Sequence, residues 1–222
     1  MGIFDRFRKK KPENTPEPLT PDTAGWDDIN RECERVYPGQ TNPKHYGTLI
    51  KWCFGGNDPL DGISIYDGGD FWHFVTFGLS ELYQKESDDK AVSGYGMEFT
   101  FRLKKACCED QEAEIRCICG ILQTIARITF TKGEVFRAYE YLYTGQTEGI
   151  DTKMASNITG FITIPDSTLN SIDTRNGRLD FVQFIGVTNA ELLALREKQM
   201  TVKELYDRLG SDVTDYCRES VV

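Results

Sequence analysis

The sequence predicts an α+β fold, a mostly antiparallel mixed sheet with helices packed on it. Three observations lead there. Short runs of β-branched and aromatic residues are separated by glycine-containing reversals, one stretch alternates apolar and polar residues with period two, and other segments repeat apolar residues at helical spacing. The 222 residues are 39% hydrophobic and 12% aromatic, enough for one core without staples, and collagen-like or low-complexity architectures are excluded.

Residues 1–23 read as a separate unit. Gly2-Ile3-Phe4 and Phe7 are interleaved with Arg6, Arg8 and the run Lys9-Lys10-Lys11, and then Pro12, Pro16, Pro18 and Pro21 preclude a helix. The expectation is a disordered basic head and proline-rich linker. It is too short to hold a membrane stably, and position 6 is Arg where a myristoylation signal needs Ser or Thr. A single domain is expected over 24–215, with 216–222 a tail.

Trp26, Ile29, Cys33 and Val36 recur at helical spacing, which predicts a helix from Ala24 to Val36, ended by Pro38-Gly39 and Pro43. Thr48 to Cys53 reads as a strand. Ile63 to Tyr66 and Phe71 to Phe77 flank Asp67-Gly68-Gly69-Asp70, a hairpin in which the two glycines supply positive φ. The second of these strands is apolar on both faces and is therefore expected at the centre of the sheet. From Gly96 to Lys104, Met97, Phe99, Phe101 and Leu103 point one way while Glu98, Thr100, Arg102 and Lys104 point the other, predicting one buried and one wet face.

A long helix follows from about Asp110 to Ile128. Its apolar stripe is Ile115, Ile118, Cys119, Leu122, Ile125 and Ala126, its acidic start suits the helix dipole, and Gly133 marks its exit. Residues 136–157 fit a strand or a short helix equally. Gly160 to Ile164 is a strand stopped by Pro165, and Ile172 to Thr174 and Arg178 to Val187 are strands reversed at Asn176-Gly177. Thr188-x-x-Glu191 and Thr201-x-x-Glu204 are capping boxes that open two short helices, with Gly210 at the last C-cap.

The formal charge is −9, and residues 24–222 alone carry −10. Such a body repels phosphate backbones, so a nucleic-acid partner is not expected, while a basic protein would be attracted. Seven cysteines without an export-type apolar leader predict reduced thiols and a cytoplasmic setting. Cys107-Cys108 and Cys117-x-Cys119 lack zinc-knuckle spacing. On a helix Cys117 and Cys119 diverge, so buried free thiols are expected, with no metal and no cofactor.

Phosphate-loop, dinucleotide, zincin and nucleophile-elbow motifs are absent, and only His45 and His73 could serve histidine chemistry. His73, among aromatics on the predicted central strand, reads as a hydrogen-bonded core histidine. Asp67/Asp70 flank turn glycines and Asp88/Asp89 lie in a polar loop. Asp173 and Asp180 are expected as cross-strand neighbours, compensated by Arg175 or Arg178.

The string Phe71-Trp72-His73-Phe74-Val75-Thr76-Phe77-Gly78-Leu79-Ser80-Glu81-Leu82-Tyr83 resembles the W-H-x-[IV]-[ST]-F-G-[LM]-S-[DE]-L-[YH] signature of the suppressor-of-fused (SUFU) domain family. Ser93 to Leu103 resembles the family's S-G-[FY]-G-x-E-L-T-F-R-L, and Ile172 through Asn176-Gly177 to Thr188, then Glu191-Leu192, resembles its closing strand and helix. The three blocks lie within residues 25–210. The resemblance implies an α+β sandwich without enzymatic activity.

Animal members carry a second domain and clamp a transcription-factor peptide by strand addition. With the chain ending at Val222, that clamp is not carried over. Tyr83 matches a peptide-contacting position, whereas the acidic contact that follows it aligns with Lys90, beside Asp88 and Asp89, which complete the expected partner site. Single-domain bacterial members resemble immunity proteins that neutralise a cognate toxin. The expected function is accordingly a non-enzymatic protein-binding module of the immunity or antitoxin type whose partner is another protein, a basic toxin domain. The alternatives are an intracellular adaptor and a hydrolase centred on His73 with Asp173 or Asp180.

Overall fold

The computed structural model describes residues 23–50 and 52–222. The basic head and its prolines lie outside the described residues. Four helices and eight strands follow in chain order: α1 (Ala24–Val36), β1 (Lys44–Gly47), β2 (Gly62–Asp67), β3 (Phe71–Phe77), β4 (Val92–Lys104), α2 (Gln111–Lys132), β5 (Tyr141–Leu142), β6 (Ile158–Pro165), β7 (Ile172–Thr174), β8 (Gly177–Thr188), α3 (Asn189–Arg196) and α4 (Val202–Leu209). The sheet runs β1-β2-β3-β4-β8-β6-β5, with β7 hairpinned onto β8. All pairings are antiparallel except β4 with β8, which is parallel. No helix among the described residues is long and apolar enough to cross a membrane.

Helices cover both sides of the sheet. The α2 stripe of Ile115, Ile118, Leu122 and Ile125 packs on Phe74, Phe99, Phe101 and Phe184. Val75, Phe77, Leu179 and Phe181 point to the opposite face and meet Ile29 and Cys33 of α1, while α3 and α4 cover Ile162, Ile164, Ile185 and Val187 further along it. Thus β3 sits between β2 and β4 with both faces packed, as its double apolar pattern predicts. Helix α2 opens on Asp110, whose side chain accepts from Ala113 N, and closes on left-handed Gly133. Both capping boxes form at Thr188 and Thr201.

Several expectations are corrected. Residues 48–50 form no strand and Trp52–Phe54 is a 3₁₀ turn; the edge strand lies earlier, at Lys44–Gly47. Leu49 and Ile50 have the side chains of a strand but pair with no strand among the described residues. The polar side of β4 is not wet: Glu98, Thr100 and Arg102 are all buried, Glu98 held by Thr76 and the 78–80 turn and Thr100 and Arg102 by the loop at Asp166. The last hairpin turns at Arg175-Asn176, one residue early, because Thr174 Oγ1 accepts from Asn176 N and donates to Gly177 O. Gly177, at φ +115°, absorbs the resulting bend.

That shift undoes the Asp173/Asp180 pair. Asp173 is in register with Arg178, and Asp180 lies 3.3 Å from the same guanidinium, so Arg178 is the compensating cation. Within 136–157, only Tyr141 and Leu142 become strand, paired to Ile162 and Phe161. The segment beyond 215 carries contacts: Tyr216 is buried, and Arg218 forms an ion pair with Glu191 at 2.6 Å.

Candidate partner-binding site

The turn after β3 is built around a buried carboxylate. Glu98 Oε1 accepts from the backbone N–H groups of Gly78, Leu79 and Ser80 at 2.9–3.1 Å and from Ser80 Oγ at 2.7 Å, while Oε2 accepts from Thr76 Oγ1 at 2.6 Å. Gly78 is required at the first of these positions. Its φ is +133°, and a Cβ would stand 2.8 Å from Asp61 N. Burial pushes the Glu98 carboxyl up to about 7, against the pull of the five donated bonds.

A second carboxylate organises the loop that follows. Glu81 accepts from Glu86 N, Ser87 N, Gly94 N and Lys85 Nζ, at 2.6–3.1 Å. Partial burial acts upward on Glu81, but Lys85 and the three amides prevail and bring it down to about 2. Asn176, at the last hairpin, donates its side-chain amide to the carbonyls of Glu81 and Tyr83 at 2.8 and 3.1 Å. These bonds fix the backbone that carries Tyr83.

Tyr83 itself is half-buried, with its hydroxyl donating to Asp61 Oδ2 at 3.0 Å. It borders a groove of about 460 Å³ whose walls include Trp52, Phe54, Leu82 and Tyr95. Phe54 is 80% exposed, an unusual position for an aromatic side chain. Asp61, Glu81 and Glu86 add carboxylates to the same wall. Asp88 and Asp89 lie on the exposed part of the loop beyond, where Asp89 Oδ1 accepts from Ala91 N at 2.9 Å, and Lys90 beside them is exposed too.

His73 lies elsewhere, under α1. It is fully buried, with Tyr37 Oη 2.7 Å from Nδ1 and Asp166 Oδ2 3.0 Å from Nε2. A neutral imidazole satisfies both contacts, donating from Nε2 and accepting from Tyr37, and burial holds its pKa below the ordinary value. Its carboxylate is Asp166; Asp173 and Asp180, the partners weighed from sequence, lie on the last hairpin. Asp166 also accepts from Thr100 Oγ1, Arg102 Nη2 and the amides of Thr168 and Leu169. Burial alone would raise Asp166; the bond from His73 and the charge of Arg102 hold it far below the usual range.

Sequence reasoning read His73 as a hydrogen-bonded core residue, as the structure shows, but missed Asp166, Glu81 and Glu98 as hubs. Asp166-x-Thr168 after a strand-ending proline is a recognisable local turn signal. Nothing in an alternating strand marks Glu98 as dry. Among the described residues one group brings metal-ligating atoms together, Cys107, Asp215 and Cys217, beyond the opposite end of β4. Of the thiols expected to be buried only Cys119 is; Cys107, Cys108 and Cys117 are half-buried, and Cys117 donates to Ile150 O.

A helix-covered mixed sheet with a carboxylate-anchored turn and an open aromatic groove defines a layered α+β domain of the suppressor-of-fused type. The chain belongs to the suppressor of fused family, whose model, described as "Suppressor of fused protein (SUFU)", matches residues 56–219. The suppressor of fused homologues of Homo sapiens and Mus musculus are each 30% identical to it over 177 residues, which cover 74% of this chain and 36% of theirs. The chain therefore spans little more than a third of the length of these curated relatives.

Among solved structures, the one titled as the Sufu-Fu complex aligns at TM-score 0.76 and 29% identity, covering 91% of this chain and 93% of its own. Drosophila Suppressor of Fused aligns at 0.75 and 27%, covering 90% and 52%. A SUFU homologue from Neisseria gonorrhoeae FA 1090 shares the fold at TM-score 0.56 and 16% identity, covering 88% of this chain and 96% of that one.

Proposed function

We propose that the chain is a non-enzymatic protein-binding module that captures a basic polypeptide, acting as a cytoplasmic immunity protein against a cognate toxin. The groove beside Tyr83 carries this reading. Its aromatic side chains are open while carboxylates of Asp61, Glu81 and Glu86 share its wall. Apolar anchors with an acidic surround suit a cationic segment, whose approach the −9 charge would accelerate. Strand β1 ends the sheet order among the described residues, which supports a partner strand added at its outer side. A hydrolase centred on His73 meets a geometric obstacle, since the imidazole is enclosed and both of its nitrogens are engaged.

The test is co-expression with toxin domains encoded beside this chain. Rescue of growth, with a complex that Tyr83→Ala weakens about tenfold or more, supports the proposal. Asp88→Lys with Asp89→Lys should slow association most at low salt. Lack of rescue together with no complex would refute it. A complex with a non-toxic neighbour would favour the adaptor reading, which gains support from a relative solved as a Sufu-Fu complex.

A further inference from the structure

The cysteines converge in a way that their adjacency in sequence conceals. The backbone of Thr214 runs parallel to β4 at Leu103, with Lys104 N donating to Thr214 O at 2.9 Å and Thr214 N to Arg102 O at 2.8 Å. Just past this bridge the two arms deliver Cys107 from one side and Asp215 and Cys217 from the other. One ligand atom from each lies within 4.8 Å of the others. Asp215 Oδ1 accepts from Cys107 Sγ and from Cys217 N, both at 2.8 Å, and Lys104 Nζ donates to Oδ2 at 2.7 Å. Beyond them the Arg218–Glu191 ion pair pins the segment again.

A second observation is independent of the cluster. A cavity of about 420 Å³ borders Cys107 and Cys217, and Glu109, Glu114 and Asp151 also line it. Tyr216 belongs to the same wall; it is 8% exposed, and its hydroxyl makes no hydrogen bond among the described residues. Buried hydroxyls are normally satisfied, by protein or by an ordered solvent or ligand group.

We propose that Cys107, Cys217 and Asp215 bind one thiophilic divalent cation, Zn²⁺, with its fourth position open to this cavity. Thiolate pairs select zinc over hard cations. Zinc–sulfur bonds of about 2.3 Å in a tetrahedron place two sulfurs about 3.8 Å apart, within reach of side-chain rotation here. On binding, each thiol releases its proton to solvent and no redox change occurs. Two thiolates, a carboxylate and Zn²⁺ sum to −1, which the Lys104 ammonium on Asp215 offsets. The cavity has room for a water as fourth ligand. The ion would join the end of β4 to the C-terminal segment, a cross-link that neither Cys107-Cys108 nor Cys117-x-Cys119 could make.

The test titrates Co²⁺ into the full chain, reduced with a phosphine and stripped of metal, and follows sulfur-to-cobalt charge transfer. One saturable equivalent per chain, displaced by Zn²⁺, is expected. Cys107→Ser and Cys217→Ser should each weaken binding about tenfold or more and reduce the charge-transfer band, Asp215→Asn should shift it, and Cys117→Ser should leave it intact. Cys217 is exposed, so its Ser variant keeps the test valid if the Cys107 variant folds poorly. The proposal is overturned by no saturable binding at micromolar Co²⁺, by a band that survives Cys217→Ser, or by a Cys107–Cys217 disulfide in mass spectra that excludes metal even after phosphine treatment.

Discussion

Asp166 and Glu98 are both buried against the same face of the sheet, and both accept bonds from β4 or its neighbours, yet they are pushed in opposite directions. Asp166 meets a cation: Arg102 Nη2 lies 2.9 Å away, with His73 and Thr100 on the other oxygen. Glu98 meets only dipoles, two hydroxyls and three amides. Burial raises both; the charge of Arg102 and the His73 bond more than reverse this at Asp166, while at Glu98 the dipoles do not. Five neutral donors are thus worth less than five neutral donors and a guanidinium. The charged cluster ties α1, the 166–169 loop and β4 into one piece, whereas the neutral one shapes the turn leading to Tyr83.

The largest way to break this contrast is Arg102→Met. It strands Asp166 without its cation and also removes the partner of Asp212, and should cost about 3–5 kcal/mol in urea unfolding at pH 7. The Arg102 Nε has no hydrogen-bond partner among the described residues, and the guanidinium lies over the Phe71 ring at 5.4 Å, so part of the loss is packing. Because the native pKa of Asp166 is depressed, its contribution is present above the unfolded value near 4 and disappears as pH falls below it. The deficit of Arg102→Met should narrow on acidification. A deficit under about 1 kcal/mol would mean that the amides and hydroxyls alone hold Asp166.

Glu98→Gln tests the other arm. A carboxyl raised to about 7 holds its proton more tightly in the folded chain than in the unfolded one, so its stabilising effect is full below about 4.5 and declines as pH rises through 7. Between pH 4.5 and 8 the native chain should therefore lose up to about 3 kcal/mol relative to Glu98→Gln. Parallel stability curves for the two proteins would show that the five donors match a cation after all.

Glu81→Gln sharpens the comparison from the surface side. Glu81 combines amides with Lys85 and is brought down to about 2, so its contribution exists above about 4.5 and fades toward pH 2. A loss of about 1–2 kcal/mol at pH 7, vanishing near pH 2, is expected from thermal or urea melts. Amide exchange should quicken at Glu86, Ser87 and Gly94, the donors it releases.

What the residues announced in advance follows from the range of the forces involved. The Asp67–Asp70 reversal, both capping boxes, the Gly133 cap and the apolar stripe of α2 depend on neighbours a few positions away, and all are legible. β1 was misplaced because an exposed edge strand such as Lys-His-Tyr-Gly needs no apolar pattern, while Leu49-Ile50 has the pattern but pairs with no strand among the described residues. The alternation of β4 is real, but a polar row facing water and one facing Asp166 and Ser80 look identical in sequence. The groove at Tyr83 was half legible: the motif named the tyrosine, and only tertiary structure brings Phe54, Asp61 and Tyr95 around it. Likewise, Cys107 and Cys217 meet only because Thr214 pairs beside Leu103.

The smallest effect is the most direct control on the role of burial. Arg178 and Asp180, on β8, form the same kind of pair as Arg102 and Asp166, at 3.3 Å, but their side chains are 58% and 53% exposed. Water already solvates both groups, so their mutual attraction is weak and each pays rotamer entropy to meet the other. Arg178→Ala should shift stability by less than about 1 kcal/mol. Asp173, in register with Arg178, would lose a neighbouring cation too, so the change should fade further at high salt. If Arg178→Ala cost as much as Arg102→Met, hairpin register rather than desolvation would govern both pairs, and hydrogen exchange at Thr174 and Asn176 would then rise together with the loss.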